Sequence, residues 1–510
     1  MTVRIGPAAP RQPRWRLPAW DSAPGWWLEY AVLAAILTGL FLFYLTLITG
    51  GVSAGSTDWA MYVMHARNLL RGAPYGATLY VYQPEAAMYG AASYPSGYSL
   101  LLAPVYAAFG LNFRAFKIVT DLVLALSLLP IYWYTRRHLG APAGWLFTIV
   151  LGLSFPFTAL QDQLGSDGLY LLLSFSAMVT LLGIYDKRKD ERSPWLWGSL
   201  AGLLAAAAAI TRPVGFALVV AVVAREVLRH KRLTRFAVAY VAAFLTVIVL
   251  NNLLAYKDVS YAEQFVLSIP KTAGHLFTYV KLSSYLFVNP SSNGLRYVLW
   301  AGATLLAAAG ILTTLRAIDP LPLLYSAAML GVLGLYWVPN ARYLAPVLPI
   351  YLLYVAFGLK WLAGRLPRRV ARAAQAAGVA VLLVAPTINA VAIRHQPDTL
   401  ITEPSFQSLS EYMRLHTGER ELTVFWNARV LALASDRPVS SYPRVLRDNS
   451  DVTAEAVLRY LDRVRPSYVV LDDGFPADER RLAEAIALAP ARFPTIYYNE
   501  RFRLMRYVTG

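Results

Sequence analysis

The chain has no cysteine. That absence excludes disulfides, thiolate zinc sites and thiol nucleophiles. It leaves the compartment open, because an outward-facing domain does not require disulfides. Charge is scarce too: 15% of the 510 residues are Asp, Glu, Lys or Arg, against 57% hydrophobic. An ordinary soluble domain carries about a quarter charged residues, so this composition excludes that class. Internal repeats are missing, and so are low-complexity segments other than alanine-rich apolar runs. A transporter or flippase built from paired halves would show such a repeat. Acidic residues are outnumbered 30 to 47, a formal net charge of +17. In a soluble protein that excess would suggest nucleic acid. Here the basic residues sit in short links between apolar runs, as expected for cytoplasmic loops beside anionic lipid. The partner implied is a lipid bilayer, and nucleic acid is not expected.

Several apolar runs reach the ~20 residues that a bilayer core requires. Eleven spans are predicted, near 26–49, 114–135, 142–160, 168–185, 195–210, 213–228, 236–254, 295–315, 321–338, 342–360 and 374–393. With this count every dense basic cluster falls on one side, together with the Arg- and Pro-rich leader 1–25. The leader shows no cleavable signal, and the first run is long enough to stay as an anchor. Two short links on the opposite side carry a single arginine each, Arg212 and Arg342. The expected fold class is mostly α, a polytopic helical bundle with juxtamembrane helices in its first outer loop. Residues 26–393 form the membrane domain, and 394–510 form a small outer α/β domain of alternating helical and strand-like segments.

The first outer loop is the most patterned stretch. Ser56 or Thr57 caps a helix with Asp58 in its first turn. Trp59, Tyr62, Ala66 and Leu69 share one face, which predicts a helix lying on the membrane surface. Arg71-Gly72 and Pro74 end it. A Tyr94-Pro95-Ser96-Gly97 turn then opens a second juxtamembrane helix. Further along come Asp162 and Asp167 before the fourth span, Thr211-Arg212-Pro213, and Asn340-Ala341-Arg342-Tyr343 before a proline-bearing span.

In their order and common sidedness these features resemble the GT-C superfamily of integral-membrane glycosyltransferases. The pattern is nearest to protein O-mannosyltransferases, aminoarabinose transferases and their bacterial relatives. The resemblance covers about residues 25–395. It implies an inverting transferase in the bacterial inner membrane, N-terminus inside and C-terminal domain outside. Such an enzyme takes a sugar from a polyprenyl-phosphate donor and passes it to a glycan, lipid or protein acceptor.

It also implies roles for these residues. Asp58 stands where the family has the base or its orienter, although Asp58-Trp59 replaces the Asp-Glu pair of several relatives. Asp167 takes the place of the acidic residue before span four, with Asp162 competing for it. Arg212 and Arg342 are the donor-phosphate ligands, since guanidinium suits bidentate phosphate contact, and Lys271 and His275 extend the cluster. Tyr94 and Tyr343, with Asp162, line the sugar and acceptor pocket. No cofactor is certain, and a divalent metal is possible. Two outer carboxylates could hold a divalent cation, but no compact metal motif is present. The plainer alternatives are helix capping for both aspartates, snorkelling to headgroups for the arginines and turn formation for Tyr94. A non-catalytic scaffold with a sensor domain is the remaining rival.

Overall fold

A computed structural model describes residues 26–52, 57–86, 93–184, 193–255, 265, 267–286, 293–336, 339–367, 400–444, 452–474 and 476–509, with scattered positions between 369 and 378. The leader, and the expected span at 374–393 apart from positions 376 and 378, lie outside the described residues.

The bundle begins with α1 (Trp26–Leu47). The loop after it carries α2 (Asp58–Arg71), β1 (Tyr80–Val81) and α3 (Ser96–Phe109). Then follow α4 (Phe113–Leu139), α5 (Ala141–Gly152), α6 (Phe155–Thr158), α7 (Asp167–Val179) and α8 (Ser193–Thr211). The remaining bundle helices are α9 (Phe216–His230), α10 (Arg235–Leu254), α11 (Ile269–Ser283), α12 (Asn293–Thr314), α13 (Leu321–Leu335) and α14 (Leu348–Ala363). Among the described residues five helices are long and apolar enough to cross a bilayer: 27–47, 113–139, 194–211, 235–254 and 294–314. The other expected spans are shorter helices. The third stops at Gly152, where Leu153-Ser154 and Pro156 restart the chain as α6. The sixth begins only at Phe216, because Pro213 tightens the entry into a 3₁₀ turn.

The C-terminal part holds α15 (Pro404–His416), β2 (Thr423–Val424), α16 (Ala428–Ser435), β3 (Val439–Ser440), α17 (Ala454–Val464), β4 (Tyr468–Asp472), α18 (Pro476–Leu488), β5 (Thr495–Tyr498) and β6 (Phe502–Arg506). Its sheet runs β1-β3-β2-β4-β6-β5. The first four strands are parallel, and β6 and β5 close it antiparallel. The crossovers β2–α16–β3 and β3–α17–β4 run in opposite directions. Right-handed connections therefore place α16 and α17 on opposite faces.

The sheet draws on both sides of the expected division at 394. Its edge strand β1 comes from the first outer loop, with Tyr80 opposite Val439 and Val81 opposite Ser440. One apolar core joins Trp59, Met61 and Met64 of α2 to Phe406, Val424 and Val470 of the C-terminal domain, while Leu124, Tyr170, Ala205 and Leu353 belong to a second core inside the bundle. The helix α2 is corrected. It does not lie with one face in lipid: Trp59 to Asn68 are all buried, His65 and Arg67 included. Its single-faced pattern reads as amphipathic, yet the polar side is covered by protein.

Candidate functional site

Asp58 sits in the first turn of α2, and its side chain is 29% exposed. Its Oδ1 accepts a hydrogen bond from the Tyr94 hydroxyl at 2.7 Å and one from Arg429 at 3.2 Å. Its Oδ2 accepts from Arg342 at 3.1 Å. Arg429 also donates to the Tyr94 oxygen at 2.9 Å, closing a triangle. Burial alone would raise the Asp58 pKa, but Arg342, Arg429 and the Tyr94 hydroxyl outweigh it and hold the carboxyl below its usual range. Burial pushes the Tyr94 phenol well up, so it stays a donor. Thr57 caps α2 without a side-chain capping bond, and its hydroxyl faces Arg429 at 3.5 Å instead.

Beside this group Asp167, in the first turn of α7, is ion-paired with Arg212. Pro213 forces Arg212 into the extended region, at φ −146° and ψ 130°. That ends α8 and leaves the guanidinium at its C-terminal end. Before α14 the Asn340 side chain accepts from the Arg342 backbone N–H at 3.1 Å and fixes a short 3₁₀ turn. The Tyr343 ring is shared by both cations, 5.1 Å from the Arg212 carbon and 5.3 Å from that of Arg342. Tyr62 links the two acidic groups: its hydroxyl meets Ser166 at 3.1 Å, and its ring packs edge-on against Tyr94 at 5.3 Å. Burial and the Asp58 charge push the Tyr62 phenol to about 12.

The turn expected at Tyr94-Pro95-Ser96-Gly97 is tied down on all sides. His65 Nε2 accepts from the Tyr94 backbone N–H at 3.1 Å, so Nδ1 carries the proton and faces the Tyr75 carbonyl at 2.8 Å. His65 is thus a buried, neutral bracket for Tyr94. The Ser96 hydroxyl donates to Asn251 of α10. At Gly97 a Cβ would meet Thr211 Oγ1 at 2.3 Å and the Thr211 backbone at 3.0 Å. Only glycine lets the turn rest against the residue that precedes Arg212. Gly97→Ala is therefore expected to lower stability by about 1–3 kcal/mol, the range for overpacking, with transfer activity falling alongside. Thermal unfolding in detergent measures it, and Thr211→Ala in the same chain should recover part of the loss.

Three expected site residues stand apart from this cluster. Asp162 has a positive φ of 60° and accepts from the Thr49 backbone N–H at 2.8 Å and the Thr49 hydroxyl at 2.6 Å. It is also ion-paired with the buried Lys117 of α4. It braces the end of α1 rather than lining the Asp58 pocket. His275 places Nδ1 3.1 Å from the Gly334 carbonyl, and Lys271 is exposed in the first turn of α11. Neither joins the ion pairs of Asp58 and Asp167. Conversely, Arg429 was not expected. It is 2% exposed, stands in the first turn of α16 in the C-terminal domain, and lies 5.1 Å from the ring centres of both Tyr80 and Tyr94. Nothing in its local sequence marks it. Among the described residues no group of three or more His, Cys, Asp or Glu is arranged to hold a metal ion.

The family model described as a predicted membrane protein, DUF2079, matches residues 53–458. The chain belongs to this family of membrane proteins. No curated protein matches it. Among solved structures, ArnT from Cupriavidus metallidurans bound to undecaprenyl phosphate is similar at 13% identity and a TM-score of 0.58, covering 96% of this chain and 99% of that one. AglB from Archaeoglobus fulgidus, with an inhibitory peptide and a dolichol-phosphate, is similar at 14% identity and 0.58, covering 95% and 75%. The arabinofuranosyltransferase AftD from Mycobacteria is similar at 14% and 0.59, covering 96% of this chain and 40% of that one. All three are GT-C glycosyltransferases, and this member of the DUF2079 family has the GT-C fold.

Proposed function

We propose that the chain transfers a sugar from a polyprenyl-phosphate donor to an acceptor hydroxyl at the outer face of the membrane, with inversion. The observation that carries this reading is the convergence of Asp58, Arg342, Arg429 and Tyr94 beside Asp167 and Arg212. Three guanidiniums face two carboxylates there, a net charge of +1. A sugar phosphodiester of a polyprenol carries one negative charge and would neutralise the cluster.

In the reaction the bond from the sugar C1 to the phosphate oxygen breaks, and a bond from C1 to the acceptor oxygen forms on the opposite face. The acceptor proton passes to Asp58, whose three hydrogen bonds leave one lone-pair direction open. The polyprenyl phosphate leaves with one further negative charge, which Arg212 and Arg342 stabilise as it develops. Their carboxylate partners and the Tyr343 ring hold both guanidiniums in place beforehand. Tyr94 orients Asp58, and Tyr343 lines the pocket. Lys271 and His275, nearer the surface, would meet the donor only as it enters.

No step here passes through a metal, because each carboxylate is engaged by a guanidinium that already balances its charge. Transfer is thus expected to persist in EDTA. The reading is tested with the full chain in native membranes, a panel of labelled polyprenyl-phosphate sugars and envelope extract as acceptor. Label moving from lipid to acceptor supports it. Donor crossing vesicles without transfer would replace it with a transport function.

A further inference from the structure

The helix α16 is fastened to α2 at both ends. At the N-terminal ends Arg429 reaches Asp58 and Tyr94. At the C-terminal ends Arg67 pairs with Asp436 at 3.0 Å. The two helices therefore run side by side in the same direction. Arg67 is nearly buried, and Asp436, the left-handed residue that ends α16 at φ 55°, is half-exposed. The residues between them share the apolar core that joins the first outer loop to the C-terminal domain. Farther along the same loop, β1 pairs with β3, the strand that follows α16.

We propose that α16 is a positioning element of the transfer site: Arg429 fixes the Asp58 carboxylate from the C-terminal domain, and the remote Arg67–Asp436 pair fixes Arg429. The proposal rests on the glycosyltransferase reading for its activity readouts. The reasoning is geometric. A carboxylate in the first helical turn is held at Oδ2 by the bundle, through Arg342, and at Oδ1 by the C-terminal domain, through Arg429. Neither half of the molecule alone sets its orientation. A tilt of α16 away from α2 would withdraw Arg429 and leave Oδ1 held by the Tyr94 hydroxyl alone, itself robbed of its bond from Arg429. Arg429 acts through Asp58, so it is a positioning residue. The charged and titratable groups acting on Asp58 are Arg342, Tyr62, Tyr94 and Arg429, with the Arg212–Asp167 pair next to Tyr62 and Arg342. Of these, Arg429 alone comes from the C-terminal domain.

The test uses the full chain and four variants. Arg429→Met removes one of the two cations that lower the Asp58 pKa. The acid limb of kcat/KM should then move up by about one pH unit or more, with kcat reduced and the donor KM little changed. Arg429→Lys keeps the charge and should return the limb most of the way. Asp436→Asn retains a residue that tolerates the left-handed conformation and removes only the ion pair. It should lower kcat by up to about fivefold, the scale of a partly exposed pair. Arg67→Gln should do the same, and the two together no more than either alone.

An acid limb unmoved by Arg429→Met, or losses at Arg67 and Asp436 that multiply, would overturn the proposal. Hydrogen exchange separates this from the function itself. Arg429→Met and Asp436→Asn should both speed exchange in the first turns of α2 and α16, whatever the protein catalyses. Wild type inactive on every donor, with that exchange pattern present, would sink the transferase reading and keep the pinning. Unchanged exchange in an active enzyme would do the reverse.

Discussion

Asp58→Asn is expected to lower kcat for sugar transfer by about 10²–10⁴-fold, the range for a lost general base, with no rise in the donor KM. The amide has the same shape as the carboxylate, so α2 and its neighbours should keep their places. It cannot take the acceptor proton, and it no longer balances Arg342 and Arg429, which bond its two oxygens. The cluster becomes more positive, which favours an anionic donor rather than repelling it. A selective loss in kcat thus distinguishes the chemical role of Asp58 from a merely structural one. The measurement is initial turnover of a labelled polyprenyl-phosphate sugar at matched protein levels. Activity within tenfold of wild type would move the proton acceptor to Asp167.

The second large effect concerns Arg212. Asp167 is 7% exposed, and its ion-pair partner is Arg212. Arg212→Met should destabilise the protein by about 3–5 kcal/mol, because the remaining carboxylate is left buried without its cation. Adding Asp167→Asn removes that penalty, and the double variant should unfold close to the wild-type temperature. Transfer should nevertheless stay about 10²–10³-fold down, the usual cost of one lost donor to a developing oxyanion. Thermal unfolding in detergent and single-turnover kinetics read the two effects separately. Recovery of activity together with stability would show that Arg212 serves only to neutralise Asp167.

Much of this arrangement was legible from residue order. Asp58, Asp167, Arg212 and Arg342 each stand at the end of a helix beside an apolar run, where charge has to have a reason, and the structure brings these four together. Asp162 has the same address but faces Lys117 and the end of α1. Side-chain direction at a tight turn with positive φ is not written in spacing. Arg429 left no trace because it belongs to a different kind of segment. It lies in the first turn of an eight-residue helix in a domain where arginine is common, and its partner Asp58 is 371 residues away. His65 gives no sign of its role for a related reason. It bonds backbone atoms 10 and 29 residues along, which no helical periodicity reports. The strand β1 has only two residues, too few for any alternation to register. Its sheet partner lies at the far end of the chain.

That strand bears on how the protein is made. Tyr80 pairs with Val439, so 359 residues of chain separate the two partners. At about 5–20 residues per second of synthesis, the first loop emerges roughly 20–70 s before β3 exists. Through that interval the loop carries a parallel strand edge with nothing to pair with, beside helices still being inserted. Two residues is short enough that a wrong neighbour gains little from binding there. The outer half of the site is thus assembled last, when the newest part of the chain closes onto the oldest.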